Sequence, residues 1–284
     1  MRIIVPFTAG GSTDVLARMI AKHLTDAWGQ QVVVDNRAGA NGVIAAELTA
    51  KANPDGHTLL MIAIGHTTNP SLLKNLPYNT ERDFQPISLT AIFPLVLGAH
   101  PTLKASTMPE FIALAKSSAR PLTYASGGVG SSQHLATELL NSMAKIKLTH
   151  VPYKGGAPGL VDLLAGQVNI MITTTSAVLP YSKVGKLRAL GVSTAKRSSM
   201  APEVPTFAES GVPGYESIAW YGLVGPAGLA RPVLDKLAGE VVKGTRSKDM
   251  REALLQQGAE PVGDRKSTRL NSSHVSESRM PSSA

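Results

Sequence analysis

The start of the chain alternates between two rhythms of apolar residues. Ile3-Ile4-Val5 is a short continuous apolar run, the mark of a buried strand, and it ends in Pro6-Phe7-Thr8-Ala9-Gly10-Gly11-Ser12. Apolar residues then return at helical spacing, with Val15, Leu16, Met19, Ile20 and Leu24 forming a face until Gly29 stops the pattern. Residues 31–34 predict a second strand, 36–42 a second glycine turn, 43–52 a helix and 58–64 a third strand, which runs into the polar sequence Gly65-His66-Thr67-Thr68-Asn69.

The same order recurs further along. A strand over residues 122–125 meets Ser126-Gly127-Gly128-Val129-Gly130-Ser131-Ser132, a helix follows over 133–143, and a strand over 147–151 meets Tyr153-Lys154-Gly155-Gly156-Ala157. A short helix over 158–164 leads to a strand over 168–172, which closes on Thr173-Thr174-Thr175-Ser176. Strand, glycine turn, helix, strand, glycine turn, helix, strand, polar turn is the grammar of a parallel sheet with ligand turns at the carboxyl ends of its strands.

Two such units imply an α/β chain of two lobes whose polar turns face a common cleft. Extended segments at residues 93–100 and 220–226 read as crossings between them, so that residues 1–96 and 222–264 form one discontinuous lobe and 97–221 the other. Helices over 232–243 and 248–257 then pack back onto the first lobe. This is the layout of a hinged clamshell.

The opening turn is the element with most chemical content. The first turn of a helix leaves backbone N–H groups unpaired and carries partial positive charge, so Gly10-Gly11-Ser12 is either a plain strand-to-helix connection or a socket for a carboxylate or phosphate. Repetition of the motif in the second half favours the socket. Asp14 is either a helix cap or an acceptor for a ligand hydroxyl or amine, and Lys154 beside Tyr153 either a cation for a carboxylate or a solvated charge.

Composition narrows the function. With 284 residues, 43% of them hydrophobic, the chain can bury the cores of two domains. The net charge of +8 is scattered, without the basic runs and interleaved aromatics of a nucleic-acid surface. Part of it lies in Arg265, Lys266, Arg269 and Arg279, against Glu277, in residues 265–284, a stretch without helical or strand periodicity that resembles translated sequencing-adapter sequence and is expected to lie outside the fold.

Cysteine is absent, which removes disulfides, thiolate metal sites and a cysteine nucleophile. No P-loop triplet occurs, and Gly128-Val129-Gly130 lacks the third glycine of a dinucleotide fingerprint, so no nucleotide cofactor is predicted. The seven histidines show no metal-ligand spacing, and Ser131 and Ser132 near His134 sit outside a Gly-x-Ser-x-Gly elbow. Neither a metal nor a catalytic role is expected.

Pro6-Phe7-Thr8-Ala9-Gly10-Gly11-Ser12-Thr13-Asp14, Val34-Asp35-Asn36-Arg37-Ala38-Gly39-Ala40, Gly130-Ser131-Ser132-Gln133-His134, Val151-Pro152-Tyr153-Lys154-Gly155 and Asp162-Leu163-Leu164-Ala165-Gly166-Gln167-Val168 resemble, in order and in register, the Bug family of extracytoplasmic solute-binding receptors of tripartite tricarboxylate transporters. The resemblance implies a type II-like, two-lobed periplasmic binding protein fold, acting as a monomer. It implies closure on a small organic carboxylate, which is passed to membrane transporter subunits, with no catalysis and no cofactor.

Carried over by position, the ligand residues are Phe7, Thr8, Ala9, Gly10, Gly11, Ser12, Thr13, Asp14, Gly65, His66, Thr67 and Asn69 from the first lobe, and Ser126, Gly127, Gly130, Ser131, His134, Tyr153 and Thr174 from the second. Members begin with a secretion signal and continue past Pro261-Val262-Gly263 into helical sequence, so both ends of this chain are expected to be truncated. A sensory module for a signalling receptor, and a hydrolase on a similar scaffold, are the alternative readings.

Overall fold

The computed structural model describes residues 1–256 and 258–264; Gln257, the end of an expected helix, and the expected tail at 265–284 lie outside the described residues. The first half runs β1 (Arg2–Val5), α1 (Ser12–Trp28), β2 (Val33–Asn36), α2 (Val43–Ala50), β3 (Thr58–Ala63) and α3 (Ile64–Leu72). β1 pairs in parallel with both β2 and β3, which places the α1 and α3 starts at one edge of the sheet. The second strand lies two residues later than the pattern predicts, because Val32 is buried off the ladder, its N–H donating to the Thr25 hydroxyl at 3.0 Å.

The sixteen-residue β4 (Phe84–Ala99) follows, and it belongs to both halves. The second half then runs α4 (Met108–Ser117), β5 (Thr123–Ser126), α5 (Ser132–Ala144), β6 (Thr149–Pro152), α6 (Gly156–Leu164), β7 (Ile170–Thr174), α7 (Thr175–Lys183) and β8 (Arg188–Val192). β5 pairs in parallel with β6 and β7, repeating the first half. The chain returns through β9 (Ile218–Pro226), α8 (Arg231–Arg246), α9 (Lys248–Gln256) and β10 (Glu260–Asp264).

The expected parallel units are therefore present, joined by antiparallel strands. Phe84 to Pro94 of β4 pairs with β9, which also pairs with β3, while Leu95 to Ala99 pairs with β7. The expected crossings at residues 93–100 and 220–226 fall largely within β4 and β9. At the switch point the buried Ser193 accepts from the Leu95 N–H at 3.0 Å and donates to the Ser217 carbonyl at 2.5 Å, binding both crossing strands to one side chain.

α8 packs on α1, with His23 to Glu240 at 3.0 Å and the Lys236 ammonium 5.4 Å from the Trp28 ring centre, and β10 adds antiparallel to β4. The returning helices therefore cover the first half, as their position in the sequence suggests. Five elements had no counterpart in the predicted pattern, the strands β8 and β10 and the helices α3, α4 and α7. α4 carries a Thr107 cap and Pro109 in its first turn, and α3 and α7 enclose Pro70 and Pro180.

Candidate functional site

Where the two halves meet, a cavity of about 290 Å³ opens between the β1–α1 turn, the β3–α3 junction and the turns of the second half. Its walls contain no Lys, Arg, His, Asp or Glu side chain. What they contain is helix ends. Gly11 caps α1, Ala63 α3, Gly155 α6 and Thr174 α7, none with a side-chain hydrogen bond to a backbone N–H of the helix, and residues of all four first turns line the cavity. Uncapped N-termini present amide donors and partial positive charge, so four converging on one space can hold an anion without a cationic side chain.

Gly11 shows how the space is kept open. Its backbone, at φ −80° and ψ 166°, suits any residue, and a Cβ there would meet only the Thr8 carbonyl at 3.9 Å. No protein packing or backbone strain requires glycine there, and Gly11 lines the cavity. Gly10, at φ +85°, does require glycine-like freedom, and its N–H donates to Asp14 Oδ2 at 3.0 Å.

Asp14 is buried outside the cavity. Arg18 donates to both carboxylate oxygens, at 2.9 and 3.0 Å, and Asn36 Nδ2 to Oδ1 at 2.9 Å. Burial opposes ionisation here, but Arg18, the Gly10 amide and Asn36 outweigh it and hold the carboxyl below its usual range. The side chain fixes the turn from behind, taking an amide that precedes α1 and neither capping that helix nor facing the cavity.

Of the other first-lobe residues, Phe7, Ser12, Thr13 and Gly65 line the cavity. Thr8 does not; its N–H donates across the cleft to the Lys154 carbonyl at 3.2 Å. Ala9 is exposed, and the Thr67 hydroxyl donates within α3 to the Ile64 carbonyl at 2.9 Å. His66 is buried between Tyr78 and Phe84, with ring centres 6.0 and 4.7 Å away, and burial lowers its pKa to about 4. Asn69 accepts from Asn41 Nδ2 at 3.0 Å and donates to the Asn41 carbonyl at 3.2 Å.

In the second lobe Gly127 and Ser131 line the cavity, and Thr174 Oγ1 meets Ser12 Oγ at 2.9 Å, a second bond across the cleft. Thr68 to the Gly130 carbonyl, at 3.3 Å, is a third. Ser126, Gly130 and His134 stand behind the wall. Ser126 Oγ meets His150 Nε2 at 2.6 Å, and the Gly130 N–H donates to His134 Nδ1 at 3.2 Å. Tyr153 donates to Asp162 at 2.6 Å, and burial, with that carboxylate, pushes its phenol up to about 12.

Ser131 Oγ accepts the His134 backbone N–H while the His134 ring serves Gly130, so the pair is not arranged as nucleophile and base. The most informative residue missing from the sequence reading is Gln133, which accepts the Gly127 N–H at 2.8 Å and donates to Thr173 Oγ1 at 3.2 Å. It bridges two second-half turns at the cavity wall. Tyr221, buried on β9, and Ser176 on α7 also line the space; the polar run Thr173-Thr174-Thr175-Ser176 was the available signal for the latter.

Residues 16–276 match the model of the tripartite tricarboxylate transporter family receptor. Protein BugT of Bordetella pertussis is 40% identical over 268 residues, covering 92% of this chain and 81% of that protein. Among solved structures, R. palustris Rpa4515 with adipate superposes with a TM-score of 0.93 at 36% identity, covering 96% of this chain and 92% of that one. MatC from Rhodopseudomonas palustris with bound malate gives 0.89 at 33%, covering 98% and 95%. With its two-lobed fold and a match that runs almost end to end, the chain belongs to the tripartite tricarboxylate transporter family of periplasmic solute-binding receptors.

Proposed function

We propose that this chain captures a small organic carboxylate in the inter-lobe cavity and passes it to the membrane subunits of a tripartite tricarboxylate-type transporter. The observation that carries the reading is a cavity without charged side chains onto which the N-termini of α1, α3, α6 and α7 open. Adipate and malate in the relatives' structures support an anionic organic ligand. Residues 1–96 and 222–264 act as one jaw and 97–221 as the other, closed in this structure by the Thr8–Lys154, Ser12–Thr174 and Thr68–Gly130 bonds.

The protein acts by binding alone. Hydrogen bonds to a charged group contribute about 1.5–3 kcal/mol each, so four or five, less ordering costs, reach the roughly −8 kcal/mol of micromolar affinity. Calorimetry against mono-, di- and tricarboxylates tests the reading. Micromolar heats with at least one carboxylate are expected, and a folded protein that binds none of the panel overturns it.

A further inference from the structure

Gly130 is a residue through which the second jaw touches the first. Its carbonyl accepts the Thr68 hydroxyl at 3.3 Å, and a Cβ on it would stand 2.7 Å from both Asn41 Nδ2 and Leu72 Cδ1. All three partners belong to the first jaw, and the contact leaves no room for a side chain. On its own side the buried Gly130 donates its N–H to His134 Nδ1 at 3.2 Å, and an imidazole nitrogen accepts only while it is unprotonated. At the matching place in the first jaw the Gly10 N–H donates to Asp14 Oδ2, whose carboxylate Arg18 holds at 2.9 and 3.0 Å. An ion-paired carboxylate keeps its lone pairs through the pH range in which histidine titrates.

We propose that proton uptake at His134 unlatches the jaws: with Nδ1 protonated two donors face one another, the Gly130 turn shifts, the Thr68–Gly130 contact is lost, and the ligand is released. Release rests on the carboxylate site proposed above; the movement of the jaws does not. The groups facing the His134 ring are Tyr124 on β5, His150 on β6 with its ring centre 4.5 Å away, and Glu138 one turn along α5. Burial resists the proton and Glu138 favours it, which puts the transition below the ordinary histidine value. The first-jaw groups against Gly130, which are Asn41, Thr68 and Leu72, carry no charge. Acid therefore acts on this contact from the second jaw.

The chain has no cysteine, so Lys51→Cys and Lys116→Cys, exposed on opposite jaws, take a pair of spin labels specifically. The test measures the distance between the labels, and adipate affinity by calorimetry, at about pH 7.5 and about pH 5, with His134 present and in His134→Asn. The asparagine oxygen offers the same reach as the Asp14 carboxylate and does not titrate. On acidification the labels should move apart only with His134 present. The affinity of His134→Asn relative to the protein with His134 should rise about threefold to tenfold, the span of one hydrogen bond, since ionisation of adipate is common to both and cancels. A constant ratio, or labels that stay in place, overturns the proposal, while adipate binding keeps the carboxylate site. Labels that part with His134 alone, in a protein that takes no adipate, support the latch and count against the carboxylate reading instead.

Discussion

The β1–α1 turn and the β5–α5 turn stand in the same place in the two halves, each after a strand flanked by two parallel neighbours. Their frames match residue for residue. Gly10 and Gly130 have φ of +85° and +81°, and each donates its N–H to the side chain four residues on, Asp14 in one case and His134 in the other. Gly11 and Ser131 then cap the helices. The difference lies in what the caps do. Ser131 accepts the His134 N–H, and Gln133 and Ser126 take the amides of Gly127 and Gly128, so the second turn consumes its own donors. Gly11 has no side chain to offer α1, and the end of that helix opens onto the cavity. One frame leaves an open helix end, the proposed socket, where the cap is glycine and a brace where it is serine.

The sharpest way to break this contrast is to fill the socket. Gly11→Val should weaken carboxylate binding at least tenfold, about 1.4 kcal/mol or more, with an unchanged circular-dichroism spectrum. Unaltered affinity would remove the β1–α1 turn from the site.

The brace should reveal itself through pH. Burial lowers the pKa of His134, with Glu138 acting in the opposite sense, and burial together with His134 lowers that of His150 to about 4. A histidine depressed in the folded state contributes its full stability above its unfolded value of about 6.5 and loses it as pH falls toward the folded one. Urea unfolding should show stability declining from pH 6.5 to 4. His150→Asn should remove part of that slope, on the order of 1 kcal/mol given its half-buried position, and His66 accounts for a further part. Asp14, also depressed, loses its contribution only below the ordinary carboxylate range. A slope unchanged in His150→Asn would contradict the brace.

Ser131→Ala deletes the cap and should cost about 1 kcal/mol in denaturant unfolding, the usual value for a serine N-cap. The smallest effect comes from transplanting it. Gly11→Ser should gain a few tenths of a kcal/mol in stability, since its hydroxyl then serves α1. It should weaken carboxylate binding severalfold by competing for the same amides, and unchanged or tighter binding would show that those amides do not hold the ligand.

The β1–α1 turn was legible because a continuous apolar strand, two glycines and a clean helical period follow one another from Ile3 to Leu24. The ends of α3 and α7 were not. Thr67 and Thr68, and Thr174 and Thr175, are β-branched and polar, and Pro70 and Pro180 interrupt the pattern, so both segments read as turns. Side-chain destinations were hidden as well. Nothing in the local sequence says that Asp14 turns back to Arg18 and Asn36, or that Gln133 joins Gly127 to Thr173, because those partners are fixed by the meeting of separate strands. β4 read as a hinge at residues 93–100, since pairing with β9 on one stretch and β7 on the next leaves no mark on an apolar run.

A cavity walled by helix ends and without a charged side chain separates two properties of a receptor that usually change together. Every residue except proline carries the same amide, so the groups proposed to grip the anion are untouched by substitutions elsewhere on the wall. Replacing Phe7, Leu160, Tyr181 or Tyr221 reshapes the space while the amides of Gly11, Gly65 and Gly156 stay in position. A lineage built on this frame can drift from one organic acid to another without passing through a form that has lost its hold on the carboxylate.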